Sequence, residues 1–344
     1  MSGHLFTYDS MDKFLSALAA DSSIYAPVLL AGRGRFSDTP LVRYGRVSRA
    51  KDICWIHKSY LSPKELLFPP RETLFYFTPG RMEEAPLGDD KRRTVLFLRA
   101  CDINGIHRLD RIFLENGGIE DSYYRRRREK LVFFLIECSE SFENCFCVSM
   151  GANMTDDFAA AFRFEEERIL AKCASYEYDP LFAKFADSAK YEPNFVEENA
   201  VKVRLPEIKE MPLELYSHKI WDEYNTRCIA CGRCNTSCVT CSCFSISDIF
   251  YDENKNCGER RRVWDGCHLD GFTDMAGGHR FREKNGQRMR FKAFHKVYDF
   301  KKRFGENMCV GCGRCDDVCP EYISFSNCIN KLAREIRGDS GKNT

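Results

Sequence analysis

The chain has 344 residues, is 44% hydrophobic and 30% charged, and carries a formal net charge of +1. No apolar run approaches the ~20 residues that span a bilayer, which excludes a membrane span, and the near-neutral charge gives no global attraction to nucleic acid. The length allows two domains, each with its own core, and 19 cysteines mark the composition. The N-terminal residues have no cationic start followed by an apolar core and a small-residue cleavage site, so the expected compartment is a reducing cytoplasm. There, clustered thiols are metal ligands or catalytic groups rather than structural disulfides.

The elements expected in the first half are those of an α/β (α+β) domain. Residues 74–77, 94–98 and 131–136 are short apolar runs rich in β-formers and read as buried strands, while residues 103–113 have helical spacing. Gly32 and Gly34 in AGRGRF lack the helix and acidic partner of a dinucleotide site, and no P-loop is present, so flavin and nicotinamide are expected to bind elsewhere. The run Arg125-Arg126-Arg127-Arg128 reads as a solvated face or as a surface for an acidic partner. Two strands run into a cysteine, TVLFLRAC at Cys101 and LVFFLIEC at Cys138, and Cys145 and Cys147 follow closely. In open α/β sheets ligands sit beyond the carboxyl ends of strands, so these four thiols are expected to converge at one edge, where they could hold a third [4Fe-4S] cluster or simply pack. Residues 164–174 read as an acidic helix, Asp179-Pro180 as a turn, and residues 192–206 as an alternating piece that completes a first domain over residues 1–215.

From about residue 216 to 344 a mainly α-helical ferredoxin-type domain is expected. Cys228, Cys231, Cys234 and Cys238 follow C-x2-C-x2-C-x3-C, and Cys309, Cys312, Cys315 and Cys319 repeat it, with Pro320 after the last. In this pattern the fourth cysteine ligates the other cluster. One [4Fe-4S] cluster is therefore assigned to Cys228, Cys231, Cys234 and Cys319, and a second to Cys309, Cys312, Cys315 and Cys238. Zinc fits less well, because zinc sites present pairs of cysteines across a longer loop. Gly232 and Gly313 are expected to let the backbone approach a cluster. About seventy residues separate the two runs, so the module carries an insert, with helical spacing around residues 238–251 and 293–304. Cys241 and Cys243 read as small residues packed beside a cluster, and Cys54, Cys173, Cys257 and Cys328 as packing residues. His57, His107, His268, His279 and His295 show no metal spacing and read as surface residues or as neighbours of ligands.

The two runs, the CVTCSCF continuation, the RVWDGC and AGGHRFR segments and the RFKAFHKVYDF stretch together resemble the A subunit of anaerobic sulfite reductase and the related beta subunits of sulfhydrogenases. Arg99-Ala-Cys-Asp102 and Asn144-Cys-Phe-Cys-Val-Ser-Met150 extend the resemblance into the first half, and Val239 departs from the proline usual after the fourth cysteine. The resemblance implies a non-catalytic, cytoplasmic electron-transfer subunit of a dissimilatory-type complex. It would relay electrons from a flavin-containing NAD(P)H-oxidising subunit to a sirohaem subunit that reduces sulfite to sulfide. Alternatives are the beta subunit of a sulfhydrogenase-type complex, a cluster-containing redox-sensing regulator, and a self-sufficient reductase. A regulator would need a DNA-binding helix pair or a basic domain, and neither is evident.

Overall fold

The computed structural model describes residues 3–34, 39–86 and 92–338. The Arg35-Phe36 end of the AGRGRF segment lies outside the described residues. Chain order begins with β1 (Gly3–Thr7), α1 (Tyr8–Leu18), β2 (Ser22–Leu30), β3 (Leu41–Arg46), β4 (Arg71–Thr78), β5 (Arg81–Glu84) and β6 (Arg93–Leu98). It continues through α2 (Ala100–Phe113), α3 (Ser122–Arg128), β7 (Leu131–Ile136), β8 (Ala160–Phe164), β9 (Arg168–Cys173), α4 (Asp179–Phe185) and β10 (Asp187–Ala189). An eight-stranded sheet orders these as β10-β1-β9-β8-β7-β6-β2-β3, with β2, β6, β7 and β8 parallel at its centre.

Period-two alternation along the central strands explains why both faces are covered. Val95, Phe97, Phe134 and Ile136 point into one core with Met11 and Phe14 of α1 and Phe182 of α4. Leu96, Leu98, Phe133 and Leu135 point into the opposite core with Ile103, Ile106 and Leu109 of α2 and Tyr124 of α3. The expected strands 94–98 and 131–136 and the helix 103–113 are therefore present. Residues 74–77 form a strand too, but in a different sheet and partly exposed.

Two other expectations for this half are corrected. Residues 164–174 are the β8–β9 hairpin rather than a helix: Ile169, Ala171 and Cys173 alternate inward, and strand pairing outweighs the helical propensity of the Glu-rich sequence. Asp179-Pro180 opens α4, with proline in the first turn where its missing N–H costs nothing.

The C-terminal part contains α5 (Glu223–Arg227), α6 (Arg233–Thr236), β11 (Phe244–Phe250), β12 (Gly258–Trp264), α7 (Asn285–Phe294), a π-helical turn (His295–Asp299), α8 (Phe300–Phe304), α9 (Arg314–Asp317) and α10 (Phe325–Arg337). The helical reading of residues 293–304 agrees with this, whereas residues 238–251 hold a strand. β11, β12, β4 and β5 form a four-stranded antiparallel sheet, so strands from both sides of residue 215 share one ladder. The architecture is mixed α/β throughout, the C-terminal part included. Among the described residues no helix is long and apolar enough to cross a membrane.

Candidate metal centres

Both cysteine runs fold into the same loop. Ala230 and Gly311, one residue before the second cysteine of each run reaches its turn, have φ of 55° and 65°, and Gly232 and Gly313 both have φ of 69°. These left-handed residues curl the backbone around the first three thiols of each run before α6 and α9 begin. Gly313 has a second reason to be glycine. A Cβ there would lie 2.2 Å from the Asn144 carbonyl oxygen, and one at Gly311 would lie 2.5 Å from the Phe146 backbone. The second run thus abuts the backbone of residues 144–147, and the Phe146 N–H donates to the Gly311 carbonyl at 2.7 Å. Close approach to a neighbouring loop is the contact visible at these glycines. Val239, in place of proline, is fully buried against Gly105 of α2.

The fourth cysteines cross over. Cys228, Cys231, Cys234 and Cys319 line one cavity together with His268 and Lys292. Cys238 lies within electrostatic reach of Cys309 and Cys312, and Cys315 within reach of the same two thiols. Cys101, Cys138, Cys145 and Cys147 line a separate cavity with Lys58, Arg99 and Arg314. Cys101 sits in the first turn of α2 and Cys138 just past β7, as the strand-end argument expects. Among the described residues no three His, Cys, Asp or Glu converge closely enough to hold a single metal ion. Two of the three sets line cavities, the first of which Cys315 also lines, instead of closing on a point, which suits a polynuclear cluster better than zinc.

Basic groups surround these thiols, and sequence reasoning overlooked most of them. Arg288, Lys292 and Lys296 are buried and recur every four residues through α7 and the π-helical turn that follows, a cationic stripe on the inward face. That spacing was the available signal. Burial pulls Lys292 down, but Cys234, Cys315, Cys267 and Cys238 outweigh it and hold its ammonium well above the ordinary lysine range. Lys58 reaches the Cys145 sulfur at 3.7 Å, the Cys312 carbonyl at 2.9 Å and Asp317 at 2.6 Å, and so spans two thiol groups. The Asn199 amide donates to the Cys147 sulfur at 3.6 Å and to Ser141 at 2.8 Å.

His268 is buried with its Nδ1 3.8 Å from the Cys228 sulfur, and burial, with Lys292 and Arg288 nearby, lowers its pKa to about 3, so it stays neutral. Cys54, Cys173 and Cys328 are buried as packing residues would be, and Cys257 is half-buried. The arginine run of α3 is not an open cationic face: Arg125 pairs with Glu120, Arg126 with Glu84, Arg127 with Glu72 and Arg128 with Asp110. Arg262 is likewise buried between Glu72 and Asp121.

The repeated loops lie within the segment that comparison with known proteins matches to an iron-sulfur family. Residues 227–323 match the family model of the 4Fe-4S dicluster domain. Over 334 residues, 93% of this chain and 95% of the relative, the sequence is 28% identical to the sulfhydrogenase 2 subunit beta of Pyrococcus furiosus.

Proposed function

We propose that the chain is an iron-sulfur electron-transfer subunit of a multisubunit oxidoreductase, of the sulfhydrogenase beta type, working beside a flavin-containing subunit that oxidises NAD(P)H. The observation that carries this reading is the continuity of the thiol groups. The cavity of Cys228, Cys231, Cys234 and Cys319 opens toward the surface at the exposed Cys231. The set of Cys309, Cys312, Cys315 and Cys238 follows, and Cys101 and Cys147 lie within electrostatic reach of Cys312. Each set of four thiols would hold one [4Fe-4S] cluster, and bound clusters supply one-electron couples.

The chain's own residues prepare these sites. Burial pushes the Cys309 thiol up to about 12 and the Cys147 thiol up to about 11, so thiolates there need compensating cations and donors. Lys292 and Lys296 supply positive charge, and Asn199 fixes the Cys147 sulfur. A sirohaem partner that reduces sulfite is the alternative terminal acceptor, and its support is the resemblance of the CVTCSCF, RVWDGC and AGGHRFR segments, which sulfhydrogenase beta subunits share. The regulator reading draws on the Arg125 run and on the basic RFREKNGQRMRFK segment, and the first of these is engaged in ion pairs within the chain, which favours the electron-transfer reading.

The test is Cys312→Ala in the anaerobically assembled complex. Iron should fall by about four per chain and electron passage from NAD(P)H should stop, while the subunit remains folded. Unchanged iron and rate would overturn the assignment. Supplying the intact complex with polysulfide or with sulfite separates the two acceptors.

A further inference from the structure

Three cysteines outside these twelve lie together. Cys241 and Cys243 follow directly on the first run and Cys267 follows β12, yet Cys243 is within electrostatic reach of both Cys241 and Cys267. We propose that Cys241, Cys243 and Cys267 hold a further iron-sulfur centre through three thiolates, leaving one iron to a non-cysteine ligand.

The first support is Asn235. Its side chain is 5% exposed, and its amide nitrogen lies 3.6 Å from the Cys241 sulfur and 3.3 Å from the Cys267 sulfur. Amide donors aimed at ligand sulfurs orient them and stabilise their negative charge. Gly266 keeps that amide in place, because a Cβ at 266 would lie 2.8 Å from Asn235 Cγ. Packing alone gives no reason to aim one buried amide at two sulfurs.

The second support is charge. Lys64 and Lys296 are 2% and 6% exposed, and among the described residues neither makes an ion pair with a carboxylate. Lys64 Nζ donates to the Asn235 and Cys241 carbonyls at 3.1 and 3.0 Å and sits 4.2 Å from the centre of the Trp264 ring. Lys296 Nζ donates to the Thr240 carbonyl and hydroxyl at 3.0 and 2.7 Å. Burying an ammonium without an anion is costly. The groups in reach that can become anions are thiols: Cys241, Cys238 and Cys243 face both lysines, and Cys309 faces Lys296 as well. At Lys296 the thiolates of the second cluster already supply negative charge, but at Lys64 Cys241 is the leading thiol, and a three-thiolate centre puts an anion there that protonated packing cysteines do not. A single zinc or iron ion does not fit, since no three such donors close on one point.

The test compares full-length Cys267→Ser with the wild-type chain, both purified anaerobically. Iron and acid-labile sulfide should fall, by about four each for a cubane, and one EPR resonance of the reduced protein should vanish while the others persist. Where Cys267→Ser does not accumulate, Cys243→Ser, at a half-buried position, gives the same readout. Unchanged iron, sulfide and spectra would overturn the proposal. An iron loss in Cys312→Ala together with none in Cys267→Ser would reject this centre alone, whereas no loss in Cys312→Ala would reject the electron-transfer reading itself.

Discussion

At the residue scale, the contact that fixes the second cysteine run is an ion pair. Arg314, between Gly313 and Cys315, is 1% exposed, and its guanidinium forks onto Asp102 at 2.5 and 2.8 Å. It also donates to the Ser59 carbonyl and hydroxyl, both at 2.9 Å, and Tyr44 donates to Asp102 at 3.0 Å. Every strong donor and acceptor in this group is satisfied, so removing one partner strands the other. Asp102→Ala should destabilise the protein by about 3 to 5 kcal/mol, because it leaves a buried guanidinium without its anion. Asp102→Leu combined with Arg314→Met should cost clearly less than Asp102→Ala, since no unpaired charge remains. Denaturant midpoints measured anaerobically decide it, and a double variant as unstable as the single would show that the pair contributes through shape alone. Arg99-Ala-Cys-Asp102 and the second cysteine run stood out in the sequence as separate motifs. Their pairing was not legible, because 212 positions separate the partners.

At the element scale, the places where sequence and structure diverge have a common physical cause. Residues 244–250 and 168–173 are strands whose sequences also suit a helix. In the first, Phe244-Ser-Ile-Ser-Asp-Ile-Phe alternates, but six of its seven residues are exposed, so burial gives little periodic signal. Its pairing with β12, which in turn pairs with β4 from the other half of the chain, decides the conformation. The central parallel strands were legible because burial on both faces makes them continuously apolar. The ligand loops were legible because spacing is imposed by the thiols themselves. What spacing did not convey is that the second loop docks on residues 144–147. Gly313→Ala should disturb that docking, since its Cβ would meet the Asn144 carbonyl and its φ is 69°. Gly151→Ala is the control: φ is 62° but nothing lies within 4 Å, so only the backbone cost of about 1 to 2 kcal/mol applies. Amide exchange at Phe146, which donates to Gly311, should accelerate in the first variant and not in the second. Equal rates in the two variants would mean that the loops tolerate separation.

At the scale of the whole molecule, the α/β sheet and the dicluster region are joined by a shared four-stranded sheet, the Arg314–Asp102 pair and the Lys58 bridge. The third core includes Phe146, Met150 and Ala152 from the first half beside Val239, Phe294 and Leu332 from the second. Such a junction holds the cavity of Cys101, Cys138, Cys145 and Cys147 against the second run, and a cluster bound there would give the α/β sheet a place in the proposed electron route. The cavity has what a cluster site requires: four thiols from two strand ends and a loop, the Lys58 ammonium 3.7 Å from Cys145, and the Asn199 amide at Cys147. Cys145→Ala in the full-length protein should therefore lower iron by about four per chain and remove one reduced-state EPR signal, leaving the signals that depend on Cys312. Cys173→Ala serves as the comparison, because Cys173 is buried in the core beside β8 and donates to the Ser175 carbonyl, away from that cavity. It should reduce stability without changing iron content. Equal iron in the Cys145→Ala, Cys173→Ala and wild-type proteins would leave the four strand-end thiols as packing residues. The α/β half would then serve to dock partner subunits rather than to conduct.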